Sequence, residues 1–295
     1  MTAYPSPRAL LEKYGLRAKK SWGQNFLGDD VILSDIARLA APRAGDLVVE
    51  LGAGLGHLTA RLVARGARVV AVERDREMAE VLRGELGSRI ALVEADAARI
   101  DYGALAEKYR ATPTSTSTST STRVAVVGNL PYHLTSPILF SLLDQVEHVS
   151  RAVFLVQREV AERLAAEPGT KDWGILSVLL QREADVSIER IVPPGAFLPP
   201  PKVESAVACA LFRPPADPVA DTERFRKLVK AGFGQRRKTL ANALRSARLA
   251  SPEALAAALE RAGVDPVRRG ETLTVAEWAA LDRALGAPVA PPATA

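Results

Sequence analysis

The chain has 295 residues, 47% of them hydrophobic and 25% charged, with a formal net charge of +5, the make-up of a soluble protein with room for one large domain and a small one. No apolar run approaches the roughly 20 residues of a membrane span, and the N-terminus has no apolar stretch of signal-peptide type, so a cytoplasmic location without membrane contact is expected. Cys209 is the single cysteine and His57, His133 and His148 show no ligand spacing, which excludes internal disulfides and leaves no metal site expected.

Residues 1–28 form a basic arm in which Arg8, Lys13, Arg17, Lys19 and Lys20 face one acid, Glu12, with Tyr4 and Trp22 interleaved. Such an arm fits a phosphate backbone and equally a solvated terminal segment. Asp29 or Asp30 then caps a helix running to about Leu39. Asp46 to Leu51 is the first clear strand, entering Gly52-Ala53-Gly54-Leu55-Gly56 and a helix over His57 to Ala64. Strand, glycine turn and helix make a nucleotide-type loop, because glycines let backbone N–H groups and the helix N-terminus reach a ligand. The next strand, Arg68 to Val72, ends at Glu73, 21 residues after Gly52. An acid at that distance binds ribose hydroxyls; a helix cap or surface acid is the alternative. The dinucleotide fingerprint has its third glycine three residues after the second, whereas Gly54 and Gly56 are two apart. The spacing therefore fits an S-adenosylmethionine site, where the loop faces an amino acid, better than a nicotinamide site. A helix from Asp75 to Leu86 and a strand from Ile90 to Glu94 lead to Asp96. Its carboxylate would take the exocyclic amine of an adenine or cap the following helix.

Thr112 to Thr122 alternates Ser and Thr without an apolar residue, so it reads as an exposed insertion without a functional role. Arg123 to Val127 reads as a buried central strand, ending at Gly128 and Asn129-Leu130-Pro131-Tyr132. Pro131 keeps Leu130 out of the α region. Asn129 and the Leu130 carbonyl then offer two acceptors side by side, and Tyr132 a flat face. That set suits a planar substrate carrying an NH2 group, such as adenine; a tight turn into a helix is the competing reading. Helices are expected over Ser136–Leu143, Gln157–Leu164 and Ile175–Gln181, and strands over Val149–Val156, Val186–Val192 and Ala206–Phe212, the last two as an edge pair. The stiff Pro193–Lys202 loop would hold Phe197, either over a base opposite Tyr132 or as a plug in the core. Pro214 to Pro218 is a linker. Residues 221–285 read as helical, with Trp278 and Leu281 in the core. Arg224, Arg226, Lys227, Lys230, Arg236, Arg237, Lys238, Arg245 and Arg248 face only Asp221 and Glu223 up to position 248. An excess this one-sided points to a phosphate-binding surface that gives affinity without sequence choice.

Taken together, Gly23-Gln24-Asn25-Phe26-Leu27, Glu50-Leu51-Gly52-Ala53-Gly54-Leu55-Gly56, Asn129-Leu130-Pro131-Tyr132, Pro199-Pro200-Pro201-Lys202-Val203 with Ser205, and Phe233-Gly234-Gln235-Arg236-Arg237-Lys238-Thr239-Leu240 resemble the small-subunit ribosomal RNA adenine N6-dimethyltransferases of the KsgA type. Ala53 stands where Pro is frequent in that family, and His133 where Asn is. The resemblance implies an α/β, Rossmann-like S-adenosylmethionine methyltransferase sheet over 29–213, interrupted by the 112–122 insertion. A small all-helical RNA-binding domain would follow over 214–295, with a flexible tail over 286–295. It implies dimethylation of N6 on two adjacent adenosines in the 3′-terminal hairpin loop of 16S RNA, within a pre-30S particle, by a monomer. Asn25, Leu27, Gly52, Gly54, Glu73, Asp96 and Asn129 would bind S-adenosylmethionine. Asn129, Leu130, Pro131, Tyr132 and Phe197 would receive an extruded adenine. Lys19, Lys20, Arg224, Lys227, Lys230, Arg236, Arg237, Lys238 and Arg245 would contact RNA. A large-subunit dimethyltransferase of the resistance type and a non-catalytic RNA-binding assembly factor are the rival readings.

Overall fold

The computed structural model describes residues 4–19, 22–109, 123–219, 221–235 and 237–286. Lys20, Arg236, the Ser/Thr insertion and residues 287–295 of the expected tail lie outside the described residues. The elements run α1 (Pro7–Lys13), β1 (Phe26–Leu27), α2 (Asp30–Ala40), β2 (Leu47–Leu51), α3 (His57–Ala64), β3 (Arg68–Val72), α4 (Arg76–Glu85), β4 (Ala91–Val93), α5 (Tyr102–Lys108), β5 (Val124–Asn129), α6 (Thr135–Leu143), β6 (Val149–Gln157), α7 (Arg158–Leu164), α8 (Ile175–Glu183), β7 (Ala184–Val192), β8 (Phe197–Leu198), β9 (Ser205–Phe212), α9 (Thr222–Phe233), α10 (Leu240–Ser246), α11 (Pro252–Arg261) and α12 (Val275–Gly286). Among the described residues no helix is long and apolar enough to cross a membrane.

The chain forms two compact units, Met1–Ala161 with Asp185–Arg213, and Glu162–Ala184 with Pro214–Ala295. The first holds a seven-stranded sheet in the order β4-β3-β2-β5-β6-β9-β7. β4, β3, β2, β5 and β6 are mutually parallel, and β9 runs antiparallel to β6. β2 and β5 lie at its centre because they are apolar on both faces: Val48, Val49, Leu51, Val124, Val126 and Val127 are fully buried. Gly128 is dictated by this pairing. A Cβ there would lie 2.6 Å from the Leu51 carbonyl oxygen, so no larger residue lets the end of β5 pass the end of β2. From β2 the chain winds outward through β3 to β4, then returns to β5 on β2's other side. The loops after β2 and β5 therefore diverge, and a crevice opens between them at the carboxyl ends of the strands. α2 packs Ile32, Leu33, Ile36, Ala37 and Ala40 inward at helical spacing, and Asp29 caps it by accepting from the Val31 and Ile32 N–H groups. β1 pairs antiparallel with β8, Leu27 opposite Phe197.

The second unit is helical and includes residues that precede the Pro214 linker. Trp173 explains why 162–184 belongs here: it is buried, and its indole N–H donates to the Leu273 carbonyl at 3.0 Å. Arg182 lies over the Phe225 ring, 5.1 Å from its centroid. Trp278 is fully buried, as its apolar spacing predicts, and stacks on Phe233. The Arg224 guanidinium is bidentate to the fully buried Asp282, at 2.8 and 3.0 Å.

Candidate active site

The crevice at the strand ends is a cavity of two lobes that share Trp22, Gly52, Glu73, Leu130 and Pro131 in their walls. Both lobes lie within the first unit. The larger brings together Asn25, Leu27, Gly54, Asn129 and Tyr132 with those shared residues. The smaller adds Asp96, Arg74 and His133. Four strand-end loops and the segment before β1 thus converge on one space.

The glycine loop and Glu73 are built as one piece. Gly54 has φ +54°, a conformation that side-chain-bearing residues rarely adopt, and its N–H donates to Glu73 Oε2 at 2.8 Å. The Asp75 N–H donates to Glu73 Oε1 at 2.8 Å. Burial pushes the Glu73 carboxyl up from its ordinary value. Glu50 is more extreme. It is 2% exposed on β2 and lines the larger lobe. Its Oε2 has no hydrogen-bond partner among the described residues. Burial, aided by the charge of Glu73, pushes it up to about 8. Two buried acids in one cavity, one with an orphan oxygen, favour a ligand that brings hydroxyl donors and positive charge. S-adenosylmethionine, with ribose hydroxyls, an ammonium and a sulfonium, fits that donor demand. Asp96 accepts from the Ala98 N–H at 3.0 Å and lies 3.5 Å from the Arg74 guanidinium. The capping role that the sequence allowed it is realised, and the residue also lies in the wall of the smaller lobe.

Asn129 is held so that its acceptor is spare. Its Nδ2 donates to the Asn25 carbonyl at 2.8 Å. A carbonyl only accepts, so the NH2 group must face Asn25 and Oδ1 is left for another donor. Leu130 follows with its N–H bonded to the Leu155 carbonyl at 3.1 Å. The Tyr132 hydroxyl and Ser205 Oγ are 2.8 Å apart, which ties the ring to β9. Phe197 is not brought to the cavity. It is 5% exposed and packs in the core with Leu27, Val192 and Val207. Of the two uses the sequence left open, this is the plug. Its backbone pairing fixes β1, and with it Asn25.

The expected RNA-contacting cations divide by partner. Lys19 is bound to Asp75 at 2.8 Å and Glu77 at 2.6 Å, so it holds the N-terminal segment to α4. Arg224 is committed to Asp282 and is a fold-holding residue. Lys227 pairs with Glu223 one helical turn away, and Lys230 also has a partner. Arg237, Lys238 and Arg245 are exposed. Lys238 and Arg245 line a shallow concavity with Asn242, Ser246 and Arg248. Trp22, Gln24 and Glu50 were not singled out from sequence as cavity residues. Trp22 read as part of a basic arm, whereas a lone acid in an otherwise Val/Leu strand was a usable signal for Glu50.

A family model described as "Ribosomal RNA adenine dimethylase" matches residues 15–284. The chain belongs to the ribosomal RNA adenine dimethylase family. Relatives named "Ribosomal RNA small subunit methyltransferase A" include one from Anaeromyxobacter sp. (strain K), 77% identical over 96% of this chain and 99% of the relative, and one from Myxococcus xanthus, 53% identical over 95% of each. Among solved structures, a 23S rRNA methyltransferase, ErmE, is similar with TM-score 0.63 and 28% identity over 89% of this chain and all of that one. A dimethyladenosine transferase from Plasmodium falciparum shares the fold, with TM-score 0.67 and 22% identity over 87% and 95% of the two chains. The dimethylase family thus accounts for both units, since its model begins before β1 and ends within α12.

Proposed function

We propose that this enzyme uses S-adenosylmethionine to dimethylate N6 of two adjacent adenosines in the 3′-terminal hairpin loop of 16S ribosomal RNA. It does so as a cytoplasmic monomer acting on a pre-30S particle. The observation that carries the reading is Asn129. Its amide is locked by Asn25 with Oδ1 unused among the described residues, next to Leu130, in the cavity that also holds the acids suited to the cofactor. When bound, S-adenosylmethionine supplies an electrophilic methyl on sulfonium sulfur. Gly52 and Gly54 would present backbone to it, Glu73 would offer its remaining lone pairs to ribose hydroxyls, and the orphan oxygen of Glu50 would take a donor from its amino-acid part. The N6 lone pair of adenine is delocalised into the ring and is a poor nucleophile. Asn129 Oδ1 and the Leu130 carbonyl accept the two N6 hydrogens, drawing the nitrogen toward tetrahedral geometry and localising its lone pair. Tyr132, anchored through Ser205, gives the extruded base a face to stack on. Methylated N6 sheds its proton to solvent, so no side chain need act as base. After the first transfer one hydrogen remains, and either acceptor can hold it.

The names of the 77% and 53% identical relatives favour the small-subunit substrate over the large-subunit one. The test is transfer of labelled methyl groups to undermethylated small-subunit particles and, in parallel, to large-subunit RNA. Label on the small subunit is expected. Label on the large subunit alone would overturn the substrate assignment, and RNA binding without transfer would favour the assembly-factor reading.

A further inference from the structure

Among the described residues of the segment before β1, Trp22 alone lies in the walls of both lobes. The other four shared residues, Gly52, Glu73, Leu130 and Pro131, come from the loops after β2, β3 and β5. Two cations sit against its ring: Lys19 Nζ at 5.3 Å and Arg74 Cζ at 4.6 Å from the centroid. Each cation is tied to an acid, Asp96 in the wall of the smaller lobe or Asp75 behind Glu73. Arg74 lies 3.5 Å from Asp96. Lys19 is bonded to Asp75, whose N–H donates to Glu73. Gln24 fastens the same segment by donating to Asp75 at 2.9 Å. Three residues beyond Trp22, the Asn25 carbonyl holds Asn129.

We infer that Trp22 is a cofactor-binding lid, closing over the adenosine part of the cofactor, and that the strap from Trp22 to Asn25 couples this closure to the orientation of Asn129. The inference rests on the methyltransferase reading above. A ligand engaging Asp96 meets the partner of Arg74, and one engaging Glu73 meets the acceptor of the Asp75 N–H, Asp75 being the partner of Lys19, so occupancy of the cavity reaches Trp22 directly through Arg74 and through Asp75 and Lys19. An aromatic ring over a nucleoside adds stacking and excludes water. Because the strap also positions Asn129 Oδ1, the cavity accepts an adenine well only when the cofactor is in place, which makes the order of binding cofactor first and RNA second.

The chain suits a direct test. Of its three tryptophans, Trp173 and Trp278 are 1% and 0% exposed, while Trp22 is half-buried. Titration of wild type with S-adenosylhomocysteine is followed by calorimetry and by indole emission, then repeated with Trp22→Phe and Trp22→Ala. Wild type should bind with quenching of emission, and Trp22→Phe should bind within about threefold of wild type without the quenching. Trp22→Ala should bind about tenfold more weakly, the size expected for one lost stacking contact. In methyl transfer Trp22→Ala should raise the cofactor KM and lower kcat, the second effect reporting the coupling to Asn129. Melting curves identify misfolded variants, and the wild-type titration stands without them. Absence of binding by wild type sinks the methyltransferase reading and the lid with it. Wild-type binding without an indole response, or Trp22→Ala binding as tightly as wild type, sinks the lid alone; a raised KM with unchanged kcat sinks the coupling.

Discussion

Lys13 and Lys19, near the start of the chain, sit on Glu85 and on Asp75 with Glu77, whereas Arg237, Lys238 and Arg245 in the helical unit stand exposed. Both stretches are basic in sequence and both fit a phosphate backbone by composition. The difference lies in what surrounds them. α4 and its cap present Glu85 to Lys13 and Asp75 with Glu77 to Lys19, so Lys19 holds the segment before β1 against α4. Around α10, Lys238 and Arg245 share their concavity with Asn242, Ser246 and Arg248 and no acid, which leaves positive charge for a partner. Net charge therefore locates RNA affinity only after intramolecular pairing has been subtracted.

The sharpest way to probe this division is to compare variants from each side of it. Asn129→Ala, in the cavity that the strap braces, should lower kcat by about 10²–10³-fold, the usual loss for one preorganised hydrogen-bonding group at a reacting centre. S-adenosylhomocysteine affinity, read by calorimetry, should change only a few-fold. Arg224→Ala tests a cation of the helical unit that is already spent. It strands a fully buried Asp282 and should cost about 3 kcal/mol of stability in denaturant unfolding. A stable variant with weakened RNA binding would return Arg224 to the RNA surface.

Glu50 offers a pH probe of the cavity. Its folded carboxyl titrates at about 8, above its ordinary value of 4.5, so the folded chain holds this proton more tightly than the unfolded one. The stabilisation is complete below about pH 4.5 and is lost as pH rises through 8. Glu50→Gln removes that dependence. Its Tm, relative to wild type, should climb between pH 5 and pH 9 in scanning calorimetry; a flat difference would contradict a buried, protonated Glu50. The smallest effect on the fold is expected where charge is free. Replacing Arg237, Lys238 and Arg245 together by Ala should leave Tm unchanged. The variant should flatten the slope of log affinity against log salt by about 2, as expected when up to three phosphate contacts go. An unchanged slope would erase the distinction between the two basic stretches.

The central sheet was legible because Val-rich runs ending in Gly or an acid admit one reading, and His57–Ala64 and Arg68–Val72 form at the expected bounds. Glu73, Asp96 and Asn129 were legible as cavity residues because strand-end positions converge in this topology, whereas Asn25, which precedes β1, came only from the family resemblance. Three things were not legible. β1 and β8 are two residues each, too short for periodicity, so the core position of Phe197 could not be separated from a base-covering one. The membership of 162–184 in the helical unit rests on contacts distant in sequence, the Trp173 indole bond across 100 residues and Arg182 over Phe225 among them, which no local pattern encodes. The partners of Lys19 and Arg224 are Asp75 and Asp282, distant in sequence, so composition counted as free the cations that the fold consumes.

The most direct test is to analyse the nucleosides of 16S RNA from undermethylated small-subunit particles after incubation with S-adenosylmethionine and either wild type or Asn129→Ala. Wild type should yield N6,N6-dimethyladenosine at two adjacent loop positions, and the variant almost none while still binding cofactor. Full dimethylation by Asn129→Ala, or none by a wild type that binds both cofactor and particle, would contradict the role given to this cavity.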